Sequence, residues 1–213
     1  MRDWAAWHSE YDDPDSSLAT RLALVQSHLA NALTSAPAGP VRLLSLCAGE
    51  GRDVFGVLPG HARRSEVRAV LVESDPRNAD VARRRANEAG LTDAVEVREA
   101  DASQVTGFAD VLPADVLLLC GIFGNVSDED IHRTATAAAM MCRSGGTVIW
   151  TRHRRDPDLT PHVRTWFAQA GFEEVAFETP STATLSSVGV QRLRSAAADA
   201  RLPDGPLFTF RQA

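Results

Sequence analysis

Two rhythms of apolar residues alternate along the chain. Between residues 15 and 34, spacings of three and four dominate among Leu18, Leu22, Leu24, Val25, Leu29 and Leu33, which predicts an amphipathic helix capped by Asp15 or Ser16. Residues 36–40 read Ala-Pro-Ala-Gly-Pro, a composition that cannot continue a helix and marks a hinge. After it, short apolar runs at 41–46, 67–72, 94–99, 114–120, 147–150 and 173–179 predict strands. The stretches 51–58, 76–89, 128–142 and 158–170 predict the helices between them, with a shorter one at 103–108. The run at 114–120 is nearly all apolar and reads as a central strand. Two further short runs, 188–193 and 207–210, look like strands, and the first is expected to pair antiparallel at the sheet edge.

Alternation of strand and helix builds a parallel sheet covered on both faces. The expected fold is therefore a Rossmann-like three-layer α/β/α sandwich. Its sheet is mostly parallel and seven-stranded, with an antiparallel C-terminal edge strand. Residues 1–40 are expected to form a helical cap and residues 41–213 the main unit. At 213 residues the chain suits one such core.

The informative stretch is Leu44-Ser45-Leu46-Cys47-Ala48-Gly49-Glu50-Gly51-Arg52-Asp53. A buried strand enters a glycine turn and then a helix, so the backbone can approach a ligand closely. Glu73, at the end of the second strand, lies about 20 residues beyond the turn, where a carboxylate can accept hydrogen bonds from both hydroxyls of a ribose. Asp101-Ala102 follows the third strand and can meet an adenine edge. Cys120-Gly121 ends the fourth. All four segments fall at the carboxyl edge of the sheet, where open α/β folds bind ligands.

In order and spacing these segments resemble the class I S-adenosylmethionine-dependent methyltransferases. The resemblance covers residues 41–179. It implies S-adenosylmethionine as cofactor, S-adenosylhomocysteine as product, and cofactor contacts at Ser45, Cys47, Ala48, Gly49, Glu50, Gly51, Glu73, Ser74, Asp101, Ala102, Cys120 and Gly121. The sequence departs from the family pattern twice: Ser45 stands where an acid is usual and Cys47 where a glycine is usual. Ser45, Glu50 or an N-terminal residue would then have to meet the amino-acid end of the cofactor.

Candidates for the acceptor side come from segments able to cover the strand ends. His153, Tyr11 and Asn125 are candidate catalytic groups, and Trp7, His8, Phe123 and Arg152 candidate substrate contacts. Displacement at a sulfonium methyl needs no metal, and no metal-ligand motif is present. Three widely spaced cysteines argue against disulfides. A net charge of −6 disfavours nucleic acid, whose phosphates call for a basic face, and favours a small-molecule acceptor. The chain lacks a membrane-length apolar run or an apolar leader and is expected in the cytoplasm. Three other readings share these residues: a non-catalytic nucleotide-binding module, an enzyme using S-adenosylmethionine for cyclisation, and a nicotinamide-dependent dehydrogenase. The last needs a third glycine where Val54 stands.

Overall fold

A computed structural model describes residues 11, 13, 16–179, 185–195 and 201–211. Seven strands form one sheet: β1 (Val41–Leu46), β2 (Val67–Glu73), β3 (Val95–Glu99), β4 (Ala114–Leu119), β5 (Cys142–His153), β6 (Phe172–Glu178) and β7 (Ser186–Leu193). Their order across the sheet is β3-β2-β1-β4-β5-β7-β6. The first five run parallel, and β7 is antiparallel to both its neighbours. The sheet is the expected mostly parallel one, and among the described strands β7 alone runs antiparallel to the rest. β7 lies one place in from the edge and β6 closes the outside.

The strands bury both faces, so successive residues divide between two cores. Leu44, Leu46, Leu117, Leu119, Val148 and Trp150 face one layer, under α4 (Asp128–Met141) and α5 (Thr160–Gln169). Leu43, Leu71, Val116, Leu118 and Ile149 face the other, against α1 (Ser17–Ser35) and α2 (Arg52–Phe55); α3 (Pro76–Glu88) contributes Ala86 to this core. This two-sided burial explains why the strands read as nearly continuous apolar runs. The helix ends follow the sequence. Ser16 Oγ accepts from Ala19 N–H, Asp75 Oδ1 from Arg77 N–H, and Ser127 Oγ from Asp130 N–H.

Several segments differ from expectation: the helix expected over 51–58 is one turn at Arg52–Phe55, and the one over 103–108 is a short 3-10 turn at Val105–Gly107. Strand β5 starts at Cys142, directly after α4, and the Arg143–Gly146 stretch is accommodated as a register shift against β4. A bulge looks like a turn in sequence, because both use glycine. The run 207–210 forms no strand. Leu207 and Phe208 are buried, Phe210 makes an isolated bridge to Val126, and Leu207 N–H donates to Ser103 O. This segment is a strap over the carboxyl edge of the sheet.

The hinge after α1 is held by a single side chain. Arg63 donates to the carbonyl oxygens of Leu33, Ala36, Pro37 and Gly39 and also pairs with Glu66. Carbonyls at a helix end lack intrahelical donors, and the guanidinium fork supplies them. Arg63→Ala is expected to cost about 2–3 kcal/mol, the range for losing charged hydrogen bonds. Urea unfolding would read it as a lower midpoint at unchanged slope.

Candidate active site

Chain order β3-β2-β1 reverses to reach β4 on the other side of β1, so a crevice opens between β1 and β4. A cavity lies there. The turn after β1 contributes Cys47, Ala48, Gly49, Glu50, Arg52 and Asp53, and the segment after β2 contributes Glu73, Ser74, Asp75 and Asn78. Cys120 and Gly121 come from the end of β4 and Thr151 from β5. Tyr11, Arg21, Leu22, Val25 and Phe210 come from the two ends of the chain.

The turn has an unusual backbone. Cys47, Gly49 and Gly51 adopt φ of 53°, 56° and 69°, the left-handed region. Two are glycines and carry no penalty there. Cys47 is the exception among the described residues, held in a conformation that costs an L-residue roughly 1–2 kcal/mol. Such local strain persists where the surroundings fix it, typically around sites. The residue is half-buried, and desolvation together with the nearby Glu73 and Asp101 carboxylates pushes the thiol pKa well up. Cys47 is therefore a neutral wall of the cavity, not a nucleophile.

Glu73 is the centre of the turn. It is 8% exposed. Its Oε2 accepts from Gly49 N–H at 2.7 Å and its Oε1 from Asp75 N–H at 2.8 Å. One side chain thus ties the turn after β1 to the turn after β2. Each oxygen keeps acceptor capacity, since a carboxylate offers about four lone-pair sites and two are used.

The other residues singled out in the sequence divide between the cavity and its surroundings. Ser45 is 1% exposed, paired between Leu71 and Leu118 inside the sheet, and does not line the cavity. Nor does Gly51, whose place is at the base of the turn beside Phe55 and Leu71. Asp101 lies outside the lining but bears on the Cys47 thiol; its Oδ1 accepts from Ser103 N–H, with Ala102 buried beside it.

On the acceptor side, Tyr11 lines the cavity, its hydroxyl accepting from Arg21 Nη2 at 2.8 Å and its ring under Arg52. Burial raises its pKa, so the phenol is neutral at physiological pH. The structure does not bring His153, Asn125, Phe123 or Arg152 to the cavity lining. His153 is occupied by backbone, Nδ1 accepting from Arg155 N–H and Gly124 lying against the ring. Its pKa is lowered by burial and by Arg152 and Arg155. Asn125 Nδ2 closes its own turn on Gly121 O. Phe123 is fully buried against Trp150 and Phe167. Arg152 is 7% exposed and donates to Phe123 O. Trp7 and His8 lie outside the described residues.

Sequence reasoning missed Asp53, Arg21, Thr151 and Phe210. A charge on a helix normally reads as a solvated face, and only the topology turns these positions inward. Thr151 Oγ1 accepts from Gly121 N–H at 2.9 Å and so fixes the loop after β4. Among the described residues no group of three or more His, Cys, Asp or Glu side chains is placed to hold a metal ion, and no helix is long and apolar enough to cross a membrane.

A family model described as "Putative methyltransferase" matches residues 18–173. No curated protein matches the sequence. Among solved structures, an O-methyltransferase family protein from Burkholderia thailandensis is 17% identical with a TM-score of 0.65, over 83% of this chain and 56% of that one. This chain therefore spans little more than half the length of that protein. Magnesium protoporphyrin IX methyltransferase from Synechocystis PCC 6803, with bound SAM, is 12% identical with a TM-score of 0.70, over 91% and 92%. The cyclase SpnF is 17% identical with a TM-score of 0.64, over 86% of each chain. At these identities the likeness is one of fold.

Proposed function

The chain belongs to the methyltransferase family whose model it matches over residues 18–173, and from that premise we propose that it moves the methyl group of S-adenosylmethionine to a small-molecule acceptor. The observation that carries this reading is Glu73, a nearly buried carboxylate clamped by Gly49 and Asp75 N–H groups at the mouth of the β1–β2 turns. Its remaining lone pairs suit the two neighbouring hydroxyls of a ribose, as charge-assisted bonds. Asp101, on the Cys47 side of the turn, can accept from an adenine amino group. The residues fit an adenosyl cofactor.

When bound, the cofactor supplies a methyl group already made electrophilic by a positive sulfur. The chain's own work is to hold the acceptor in line and to keep water away. Tyr11, Thr151, Gly121 and Phe210 wall the cavity near the ends of β4 and β5, where an acceptor would approach. Tyr11 stays protonated and so orients by hydrogen bonding. A small acceptor is supported by the acidic net charge of −6 and by a neighbour named for a porphyrin substrate. Three free thiols support a reducing, cytoplasmic setting.

The product is the deciding observation, because a [4+2]-cyclase shares the fold without being named for methyl transfer. The protein is incubated with methyl-labelled S-adenosylmethionine and a panel of small phenols, carboxylates and amines. The expected products are S-adenosylhomocysteine and one labelled acceptor. Methylthioadenosine as the sole adenosyl product would replace transfer by cyclisation, and binding without either product would leave a nucleotide-binding module.

A further inference from the structure

Oxygen, nitrogen and sulfur acceptors make different demands on the wall around them. A hydroxyl sheds a proton as it attacks, and its oxygen can accept a hydrogen bond at the same time. A wall built for it holds one buried anion and one buried donor.

The cavity holds both on one face of the sheet. Leu118 of β4 and Ile149 of β5 face the layer of α1 and α2, and Cys120 packs on that layer. Thr151, two residues beyond Ile149 on β5, points the same way by strand alternation. Asp53 lies on α2 in that layer and bears electrostatically on Cys120. Gly121, next in the chain, donates its N–H to Thr151 Oγ1 at 2.9 Å. Asp53, Cys120 and Thr151 thus share the wall at the ends of β4 and β5, away from Glu73 at the end of β2.

We propose that the methyl acceptor is a neutral hydroxyl compound, an alcohol or a phenol, with Asp53 as the base that takes its proton and Thr151 as the donor that holds its oxygen. This rests on the methyl-transfer reading above.

Both groups are nearly buried and keep unused capacity toward the cavity. Asp53 is 8% exposed and forms no ion pair among the described residues; its Oδ1 accepts from Val54 N–H at 2.9 Å. Thr151 is 2% exposed, and its hydroxyl proton finds no acceptor among the described residues. A buried carboxylate and a buried O–H both call for a partner, and a hydroxyl supplies one to each. An amine offers protons where Thr151 needs a lone pair. A thiol accepts hydrogen bonds weakly, and a carboxylate has no proton to give and meets Asp53 as a like charge. Leu22, Val25 and Phe210 add apolar wall that keeps water off the reacting atoms. In the step, a lone pair of the hydroxyl oxygen forms the C–O bond to the methyl carbon. The C–S bond breaks with its electron pair left on sulfur, giving the neutral thioether of S-adenosylhomocysteine. The oxygen's proton passes to the Asp53 carboxylate and from there to water.

The site also sets a pH dependence. The charged and titratable groups around Asp53 are Arg21 on α1, Tyr11 ahead of it, Cys120 at the end of β4, and Glu50 and Arg52 of the turn, with Arg85 of α3 on Glu50. Tyr11 and Cys120 are pushed up and stay protonated. Burial raises the Asp53 pKa from the usual carboxylate range to about 6, near the working pH of a general base. The wild-type rate is expected to fall as pH drops through about 6, where the base becomes a neutral acid. Stability runs the other way: with the folded pKa raised, ionising Asp53 costs the empty fold stability as pH rises from about 4 to about 6. Asp53→Asn keeps the Oδ1 acceptor and is expected to melt no lower than the wild type above that window.

The test incubates the full chain with methyl-labelled S-adenosylmethionine and a panel of small alcohols, phenols, amines, thiols and carboxylates. The methylated atom is read from the NMR shift of the transferred methyl, and cofactor affinity by calorimetry on the same proteins. The methyl is expected on a hydroxyl oxygen. Asp53→Asn should lower kcat by roughly 10²–10⁴-fold yet bind S-adenosylmethionine within about threefold of the wild type. Its residual rate should lack the acid limb and climb with pH toward the acceptor's own pKa. Thr151→Val should lower kcat/KM by about tenfold and Thr151→Ser should restore it; equal losses in the two would overturn the role of Thr151. Methyl on nitrogen, sulfur or a carboxylate would overturn the proposal. So would an Asp53→Asn variant that keeps the wild-type rate or loses cofactor affinity along with it. Should that variant fail to fold, a wild-type rate with no fall near pH 6 would overturn the base. A wild type that binds S-adenosylmethionine and methylates no hydroxyl of the panel would overturn the acceptor class. One that does not bind S-adenosylmethionine would overturn the cofactor reading instead.

Discussion

Glu73→Ala is expected to abolish measurable cofactor binding at micromolar concentrations and to lower the melting temperature in the same variant. Both effects come from one carboxylate. Gly49 and Asp75 each lose their acceptor, and leaving such donors unsatisfied costs about 1–3 kcal/mol. For a chain of this size that corresponds to a fall of roughly 2–12 °C. The ribose loses two charged hydrogen bonds at about 1.5–3 kcal/mol each, well beyond tenfold in affinity. Glu73→Gln separates charge from size. One of its two termini becomes a donor facing a backbone donor, so affinity should still fall steeply although the volume is kept. Calorimetry with S-adenosylhomocysteine and a thermal melt, on the same samples, read the two effects. Loss of stability with unchanged affinity would make Glu73 a structural strut and nothing more.

The second large effect lies away from the cavity. Gly189 on β7 faces Trp150 on β5 across the antiparallel pair, and a Cβ placed there would stand 2.2–2.5 Å from three atoms of the indole. Trp150 cannot retreat. It is fully buried, with Phe123, Phe167 and Phe177 at centroid distances of about 6 Å. Gly189→Ala is therefore expected to cost about 3 kcal/mol, the upper part of the overpacking range, seen as a lower urea midpoint. Trp150→Phe should relieve part of that loss in the double variant. The smaller ring gives up no hydrogen bond, because Trp150 Nε1 has no partner among the described residues. Additive losses would show that the two residues do not press on each other.

Both predictions show what the sequence could and could not reveal. Strands buried on both faces are apolar at most positions, so the β1, β2 and β4 runs are legible without a partner in view. Glycines 49 and 51, and an acid at the end of β2, are readable because turn geometry and strand ends are local properties. The fit between Gly189 and Trp150 is not local. It depends on β7 entering between β5 and β6, a pairing that no pattern within 186–193 specifies. The same limit hid Asp53 and Arg21. Each is a charged helix residue in sequence, and only the crossing of β1 over to β4 turns them toward one cavity. It also misdirected the reading of His153, Asn125 and Arg152. Their place after β4 and β5 suggested an acceptor pocket, yet none lines the cavity, and one polar atom of each is bonded to nearby backbone.

Ser45 carries a related lesson. Its position in the motif suggested a cofactor contact, but it lies within β1, flanked by Leu71 of β2 and Leu118 of β4, at 1% exposure.

The most direct test of the account is a crystal structure of the protein grown with S-adenosylhomocysteine. We expect both ribose hydroxyls on the Glu73 carboxylate and the ligand's chain running across the β1 turn toward Cys120. Density for the ligand elsewhere, or a ribose that leaves Glu73 untouched, would contradict it.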